Sequence, residues 1–330
     1  RDYRELPVEA DLITAGFPCQ DLSQAGRTLG LDGERSSLVE EVFWLMRHSR
    51  RPNWLLLENV PFMLRLARGE ALKVILENLE DLDYRWAYRV VDTRAFGLPQ
   101  RRKRVFILAS LHSDPRGVLL ADNEPELVEG SAPDGRACGF YWTEGTRGLG
   151  WAVDGIPTLK GGSTVGIPSP PAIWHPRAGI IRPGLRDAER LQGFDPDWTQ
   201  PAAEIVRNSM RWRLVGNAVT VDVAEWIGAR LRQPLTYVSD ADPILADGEK
   251  WPNAAYNVGE GRFTSPVSSR PRAIQSPALA DFLNLAESQP LSLRATAGFL
   301  KRFEASSLRK PEGFLEALQR HLALMKSDAA

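Results

Sequence analysis

The chain has 330 residues, 43% of them hydrophobic and 25% charged, with a formal net charge of −1. That is enough apolar content to bury a large core and more than one folding unit, while two cysteines exclude a disulfide framework. No apolar run is long enough to cross a bilayer, and the near-zero charge balance means that any polyanionic partner must be met by local positive charge.

The first element is a strand over Leu12-Ile13-Thr14-Ala15, which runs into Gly16-Phe17-Pro18-Cys19-Gln20 and then into Asp21-Leu22-Ser23-Gln24-Ala25-Gly26, a stretch with neither strand nor helix period. Cys19 is thus either a packed structural thiol or a working one at the mouth of a loop, and the glycine-rich residues 20–37 suit a closing loop. Leu38, Val42, Leu45 and Met46 share one face of a helix, with Phe43 and Trp44 read as core. Trp54-Leu55-Leu56-Leu57 reads as a buried strand ending at Glu58-Asn59-Val60 and stopped by Pro61, and Leu72, Ile75, Leu76, Leu79 and Leu82 mark the next helix. From Arg85 to Arg104 there are seven cations against one anion, Asp92, and Gln100-Arg101-Arg102-Lys103-Arg104 leads straight into the strand Val105-Phe106-Ile107-Leu108. Strand, helix, strand, helix, strand in succession predicts a parallel sheet with right-handed crossovers. Side chains at the carboxyl ends of such strands face one crevice, so Cys19 and Glu58 are expected at a common rim.

After Leu111 glycines and prolines dominate through residue 184, with Lys160-Gly161-Gly162-Ser163 and Pro168-Ser169-Pro170-Pro171 among them. Arg186-Asp187-Ala188-Glu189-Arg190-Leu191-Gln192-Gly193-Phe194 predicts a short helix with a glycine stop, and Gly216-Asn217-Ala218-Val219 a turn opening a helix whose inner face is Val223, Ala224, Ile227 and Leu231. Residues 235–272 read as a linker. Three apolar-periodic segments follow, near 278–287, 292–305 and 311–326, a small helical appendage over 273–330 that either packs or meets a partner through Lys301, Arg302, Arg309 and Lys310.

In this order and at these separations, GFPCQ at 16–20, ENV at 58–60, QRRxR at 100–104, RLQGF at 190–194 and GNAV at 216–219 resemble the ordered blocks of the DNA (cytosine-5)-methyltransferases. The blocks span about two thirds of the chain, and the ordered set is highly specific. The resemblance implies an α/β fold, a Rossmann-like S-adenosylmethionine-dependent methyltransferase sheet, with residues 1–111 and 185–234 forming the catalytic domain and 112–184 a target-recognition region. It implies Cys19 as nucleophile, Glu58 as the acid at the cytosine ring and preferably protonated by burial, Arg104 on the flipped base and Arg102 on the same rim, with Asn59 orienting the acid. Pro18, Leu38, Asn217 and Ala218 would line the S-adenosylmethionine site, and Gln20, Ser23, Arg101, Lys160 and Arg177 would meet double-stranded DNA, with Ser163, Thr164, Trp174 and His175 as further candidates. His175 beside Trp174 is more often a packed histidine. No metal is expected.

The family opens with a glycine-rich strand-to-helix turn that precedes the cysteine block and has no counterpart after Arg1. The expectation is a missing segment of roughly 60 residues, half of a mononucleotide-binding fold, or a complementary subunit, and weak cofactor binding by this chain alone. The further expectations are a cytoplasmic enzyme, a cognate restriction endonuclease, and sequence-specific methylation of cytosine. The alternatives are a catalytically silent DNA-binding fragment and RNA methylation on the same fold.

Overall fold

The computed structural model describes residues 10–17, 38–48, 51–128, 130–161, 171–239 and 242–328. In chain order it contains β1 (Leu12–Gly16), α1 (Leu38–His48), β2 (Trp54–Asn59), α2 (Glu70–Asp81), β3 (Arg85–Asp92), β4 (Gln100–Arg101), β5 (Lys103–Ser110) and α3 (Arg116–Leu119). There follow β6 (Cys138–Phe140), β7 (Ala152–Val153), β8 (Ile156–Pro157), β9 (Ala172–His175), β10 (Gly179–Arg182), α4 (Leu185–Arg190), α5 (Asn208–Asn217) and α6 (Val221–Arg232). The last elements are β11 (Ala254–Asn257), β12 (Arg262–Thr264), α7 (Leu279–Phe282), β13 (Gln289–Pro290), α8 (Leu293–Glu304) and α9 (Phe314–Ser327).

The chain divides into two units, and each is built from separated segments. The first comprises Arg1–Asp92, Lys103–Glu126 and Trp226–Ala273. Its six-stranded sheet has the order β1-β2-β5-β3-β11-β12. β1 and β2 pair in parallel, whereas β5 pairs antiparallel with both β2 and β3. Strands β1, β2 and β3 therefore all run the same way, as the alternating strand and helix pattern predicts. The wholly parallel sheet does not form, because β3 and β5 are joined by a short connection that returns the chain antiparallel, into the slot between β2 and β3.

One core holds this unit together. Phe43 and Met46 of α1 and Leu72, Ile75, Leu76 and Leu79 of α2 pack with Leu55, Leu57, Trp86, Tyr88, Val90, Val105 and Ile107 of the sheet. Each such side chain contributes about 1.5–3 kcal/mol by leaving water. The inward face of α1 is set by Val39, Phe43 and Met46, while Val42 and Leu45 are only half-buried. Trp44, expected in the core, is 46% exposed and stacks on His48 at 4.5 Å, since it lies one residue, about 100° of helix, from Phe43. Residues 235–272, expected as a linker, instead supply β11 and β12 to the sheet edge, with Ala255 and Leu245 in the core. Here Glu80 of α2 gathers Arg262, Asn257 and Trp86 around one carboxylate.

The second unit comprises Thr93–Arg102, Leu127–Glu225 and Ile274–Ala330. Its sheet has the order β13-β10-β9-β6-β7, and β4 pairs with β8 separately. Phe140, Ala172 and Ile180 of that sheet share a core with Phe299, Leu300 and Phe303 of α8 and Phe314 and Leu318 of α9. The carboxyl-terminal helices thus complete the hydrophobic face of the glycine- and proline-rich region; they are a part of its fold, not an add-on. Among the described residues no helix is long and apolar enough to cross a membrane.

Candidate active site

The carboxyl ends of β1 and β2 lie side by side because the two strands are parallel and in register, with Gly16 opposite Glu58. Strand alternation buries Leu55, Leu57 and Asn59 on one face and puts Glu58 on the other, half-buried. A Cβ at Gly16 would stand 3.4 Å from Glu58 Oε2, an ordinary contact, so the carboxylate lies directly beside Gly16. The next residue is held as well. Asn59 Nδ2 donates to the Phe17 carbonyl at 2.9 Å, while Asn59 Oδ1 accepts from the Val60 amide at 2.8 Å. Asn59 therefore fixes the segment that leads to Cys19.

Arg104, at the start of β5, places its Nε 2.9 Å from Glu58 Oε1, with side-chain exposures of 15% and 19%. A second donor of Arg104 goes to the Lys103 carbonyl at 2.9 Å, so the guanidinium is oriented from both sides.

The other sequence blocks converge within the second unit on a buried polar knot. Arg102 is 1% exposed and donates to the carbonyls of Leu159 at 3.0 Å, Gly216 at 3.2 Å and Ala218 at 2.7 Å. Gln100 Nε2 donates to the Leu191 carbonyl at 2.7 Å and to Gln192 Oε1 at 3.2 Å, and Gln100 Oε1 accepts from the Leu159 amide. Gln192 Nε2 donates to the Val215 carbonyl at 2.8 Å, and the Thr220 hydroxyl donates to Gln192 Oε1 while pairing with Thr93. QRRxR, RLQGF and GNAV are thus bound to one another by buried hydrogen bonds, each partner satisfying the other. Arg102, expected at the catalytic rim, spends these donors on backbone. Glu189, wholly buried, takes the amides of Asp197 and Thr199 and the Arg211 guanidinium.

Asn217 and Ala218, expected near the cofactor, end α5 and begin the following turn. Asn217 is exposed, with its amide oxygen against Gly161, where a Cβ would come within 2.2 Å of it. Of the expected DNA contacts, Lys160 reaches Glu144 at 2.6 Å and lies 3.7 Å over the Tyr141 ring. Arg177 is exposed beside Asp281 at 3.6 Å. Arg101 is half-buried, and its carbonyl accepts from Thr158. His175 is 1% exposed with Nδ1 accepting the amides of Arg177 and Ala178, so it is a packed histidine unable to meet a base. Trp174 packs against Trp151 and Phe314. Arg302 and Lys310 of the appendage bond to carbonyls of their own unit.

Pro18, Cys19, Gln20, Ser23, Ser163 and Thr164, and the loop 20–37, lie outside the described residues, as does the side chain of Leu38. The other cysteine, Cys138, is buried and its thiol is pushed up to about 11 by that burial, which removes it as a nucleophile near neutrality. Sequence reasoning missed Gln100, Glu189, Gln192 and Thr220 as working residues. The available signal was polar side chains wedged among apolar ones, as in Ala188-Glu189-Arg190-Leu191-Gln192.

Residues 1–129 match the family model described as C-5 cytosine-specific DNA methylase. The chain is 47% identical over 335 residues to the type II methyltransferase M2.BsuMI of Bacillus subtilis (strain 168), an alignment covering 97% of this chain and 84% of that protein. It is 39% identical over 254 residues to the type II methyltransferase M.BsuFI of Bacillus subtilis, covering 69% of this chain and 59% of that one. A solved structure of S. pombe Dnmt2 methyltransferase aligns with a TM-score of 0.46 at 17% identity over 72% of this chain and 84% of that chain, too distant to carry an argument. At 47% identity across most of both proteins, the chain belongs to the C-5 cytosine-specific DNA methylase family.

Proposed function

We propose that this chain methylates carbon 5 of a cytosine rotated out of duplex DNA, with S-adenosylmethionine as the methyl donor and Cys19 as the nucleophile. The observation that carries the reading is the register of β1 and β2, which sets Gly16 opposite Glu58 and ties Phe17 to Asn59. Cys19 follows Phe17 by two residues, about 7 Å of extended chain. That short reach supports a Cys19 thiolate working together with the Glu58 carboxyl.

Each residue then has a defined task. The Cys19 thiolate forms a bond to carbon 6, and the displaced electron pair moves toward carbon 5 and ring nitrogen 3. Glu58 stabilises that charge by a hydrogen bond at nitrogen 3, which requires a proton on its carboxyl. Arg104, whose Nε lies 2.9 Å from Glu58 Oε1, serves as the second polar partner of the base. S-adenosylmethionine supplies an electrophilic methyl group. Removal of the carbon 5 proton and cleavage of the carbon–sulfur bond restore the thiolate. Asn217 offers an exposed carboxamide, one donor and one acceptor, at the end of α5, chemistry that suits the amino-acid end of the cofactor; Pro18, Leu38 and Ala218 are proposed with it.

Residues 112–184 are proposed to read the target sequence, with Lys160 and Arg177 among the exposed cations of that region and Gln20, Ser23 and Arg101 meeting the same duplex. Arg102 keeps the Leu159 and Gly216–Ala218 backbone in place through its buried hydrogen bonds. The relatives carry type II methyltransferase names, which supports a modification enzyme matched to a restriction endonuclease of the same target. Incubation of mixed-sequence DNA with the enzyme and S-adenosylmethionine, followed by bisulfite sequencing, is expected to return protected cytosines in one short sequence word. Uniformly convertible cytosines would refute the reading.

A further inference from the structure

The second unit carries a cavity of about 460 Å³ that none of the five sequence blocks accounts for. Its walls are Arg182 and Pro183 at the end of β10, Asn208, Ser209 and Trp212 on the first turns of α5, and Glu287 and Gln289 beside β13. Charge in this neighbourhood is unevenly matched. Arg186 is neutralised by Asp197 at 2.7 Å and by Glu287 at 3.0 Å, and Arg211 by Glu189 at 3.4 Å. Arg182 has only the neutral amide of Gln289, at 2.9 Å, and its Nε is buried without a hydrogen-bond partner. Among the described residues Arg182 has no ion-pair partner. A guanidinium without a countercharge is a ready partner for a bound oxyanion.

We propose that this cavity seats a phosphodiester of the duplex backbone, held by Arg182, by the Ser209 hydroxyl and the Asn208 amide. The proposal rests on the DNA reading above. The composition of the walls fits a phosphodiester with its sugar: one uncompensated cation and small hydroxyl and amide groups for the phosphate, and the half-buried Trp212 for the deoxyribose. The single lining carboxylate whose charge would oppose an anion, Glu287, is already held by Arg186 and by Asn284 at 3.1 Å. The seat also gives the carboxyl-terminal segment a part in function, since Glu287 and Gln289 come from it.

The test is the salt dependence of binding to a fluorescein-labelled mixed-sequence duplex, read by anisotropy on the full chain between about 50 and 200 mM salt. Arg182→Gln, which keeps a hydrogen bond within reach of Gln289, is expected to lower the slope of log affinity against log salt by about 0.9, a loss of about one phosphate contact. Over that salt range its affinity should fall roughly 3- to 4-fold less than the wild type's. Ser209→Glu, on an exposed position that does not endanger folding, should weaken binding about tenfold or more by placing a carboxylate in the seat, while Ser209→Ala, which removes one neutral hydrogen bond, should weaken it only a few-fold with the salt slope unchanged. If wild type binds the duplex and both Arg182→Gln and Ser209→Glu match it in slope and affinity, the seat is refuted and the enzyme reading stands. A wild-type chain that binds no duplex at any salt would overturn both.

Discussion

Replacing Arg102 by methionine separates a clamp from a base contact. The side chain is buried and serves three carbonyls, those of Leu159, Gly216 and Ala218. Methionine fills much of the volume but donates nothing, so the Leu159 and Gly216 carbonyls lose their Arg102 donors and Ala218 keeps Gln192 Nε2 at 3.3 Å, at a cost of about 3–6 kcal/mol in all. For a unit of this size that corresponds to a fall of about 10 °C or more in the melting transition. Lysine retains charge but cannot fork across three acceptors and should fall between the two. Differential scanning calorimetry provides the measurement, with Arg177→Met as the surface control, since its pair with Asp281 is exposed on both sides and worth at most about 1 kcal/mol. An Arg102→Met protein that melts within about 2 °C of wild type, yet transfers no methyl groups, would refute the clamp and return Arg102 to the reacting base.

Other outcomes follow from single positions. Gly193 has φ +82°, and a Cβ there would come within 2.3 Å of Asp222 Oδ2; Gly193→Ala should cost about 2–4 kcal/mol in urea denaturation, from left-handed backbone and steric conflict together, and pairing it with Asp222→Ala should recover only the steric part. Burial opposes ionisation of Glu80, but hydrogen bonds from Arg262, Asn257 and Trp86 prevail and hold its carboxyl below the usual 4.5. The stability this confers is present above pH 4.5 and is lost as pH falls through the lowered value, so acid titration of Glu80→Gln should show a shallower decline than wild type. Equal slopes would remove the linkage. Glu58→Gln is close to isosteric and should leave folding intact while slowing transfer of labelled methyl groups to DNA at least about 100-fold; a rate within about threefold of wild type would exclude the acid role.

How much was legible in the residues varies with the range of the interaction. The helix over Glu70–Asp81 and the strand ending at Glu58 follow from local periodicity, and both form as expected because their apolar faces meet a single core. The insertion of β5 between β2 and β3 depends on pairing across the sheet, to which a period-two pattern is blind. Ala254–Asn257 is too short and too close to proline to read as a strand, yet Tyr88 and Ala87 offer it a partner edge. At the site, the meeting of the cysteine strand with Glu58 was legible from strand ends. The pairing of Glu58 with Arg104 was not, because a basic run shows where cations occur and not which way each turns. Arg102 turns inward onto carbonyls and Arg104 outward onto the carboxylate, two residues apart on a strand that begins between them. Gln100 and Gln192 carry no charge and no period, and only folding brings them within 3.2 Å.

The most direct test of the account uses DNA in which 5-fluorocytosine replaces cytosine throughout, incubated with the enzyme and S-adenosylmethionine and analysed under denaturing conditions. Fluorine cannot leave carbon 5 as a proton does, so the carbon–sulfur bond persists once the methyl group has moved. Wild type is expected to run as a protein–DNA adduct whose peptide map places the link at Cys19, and Cys19→Ser to give none. An adduct that survives the Cys19→Ser change, or methylation by the wild type with no adduct at all, would contradict it.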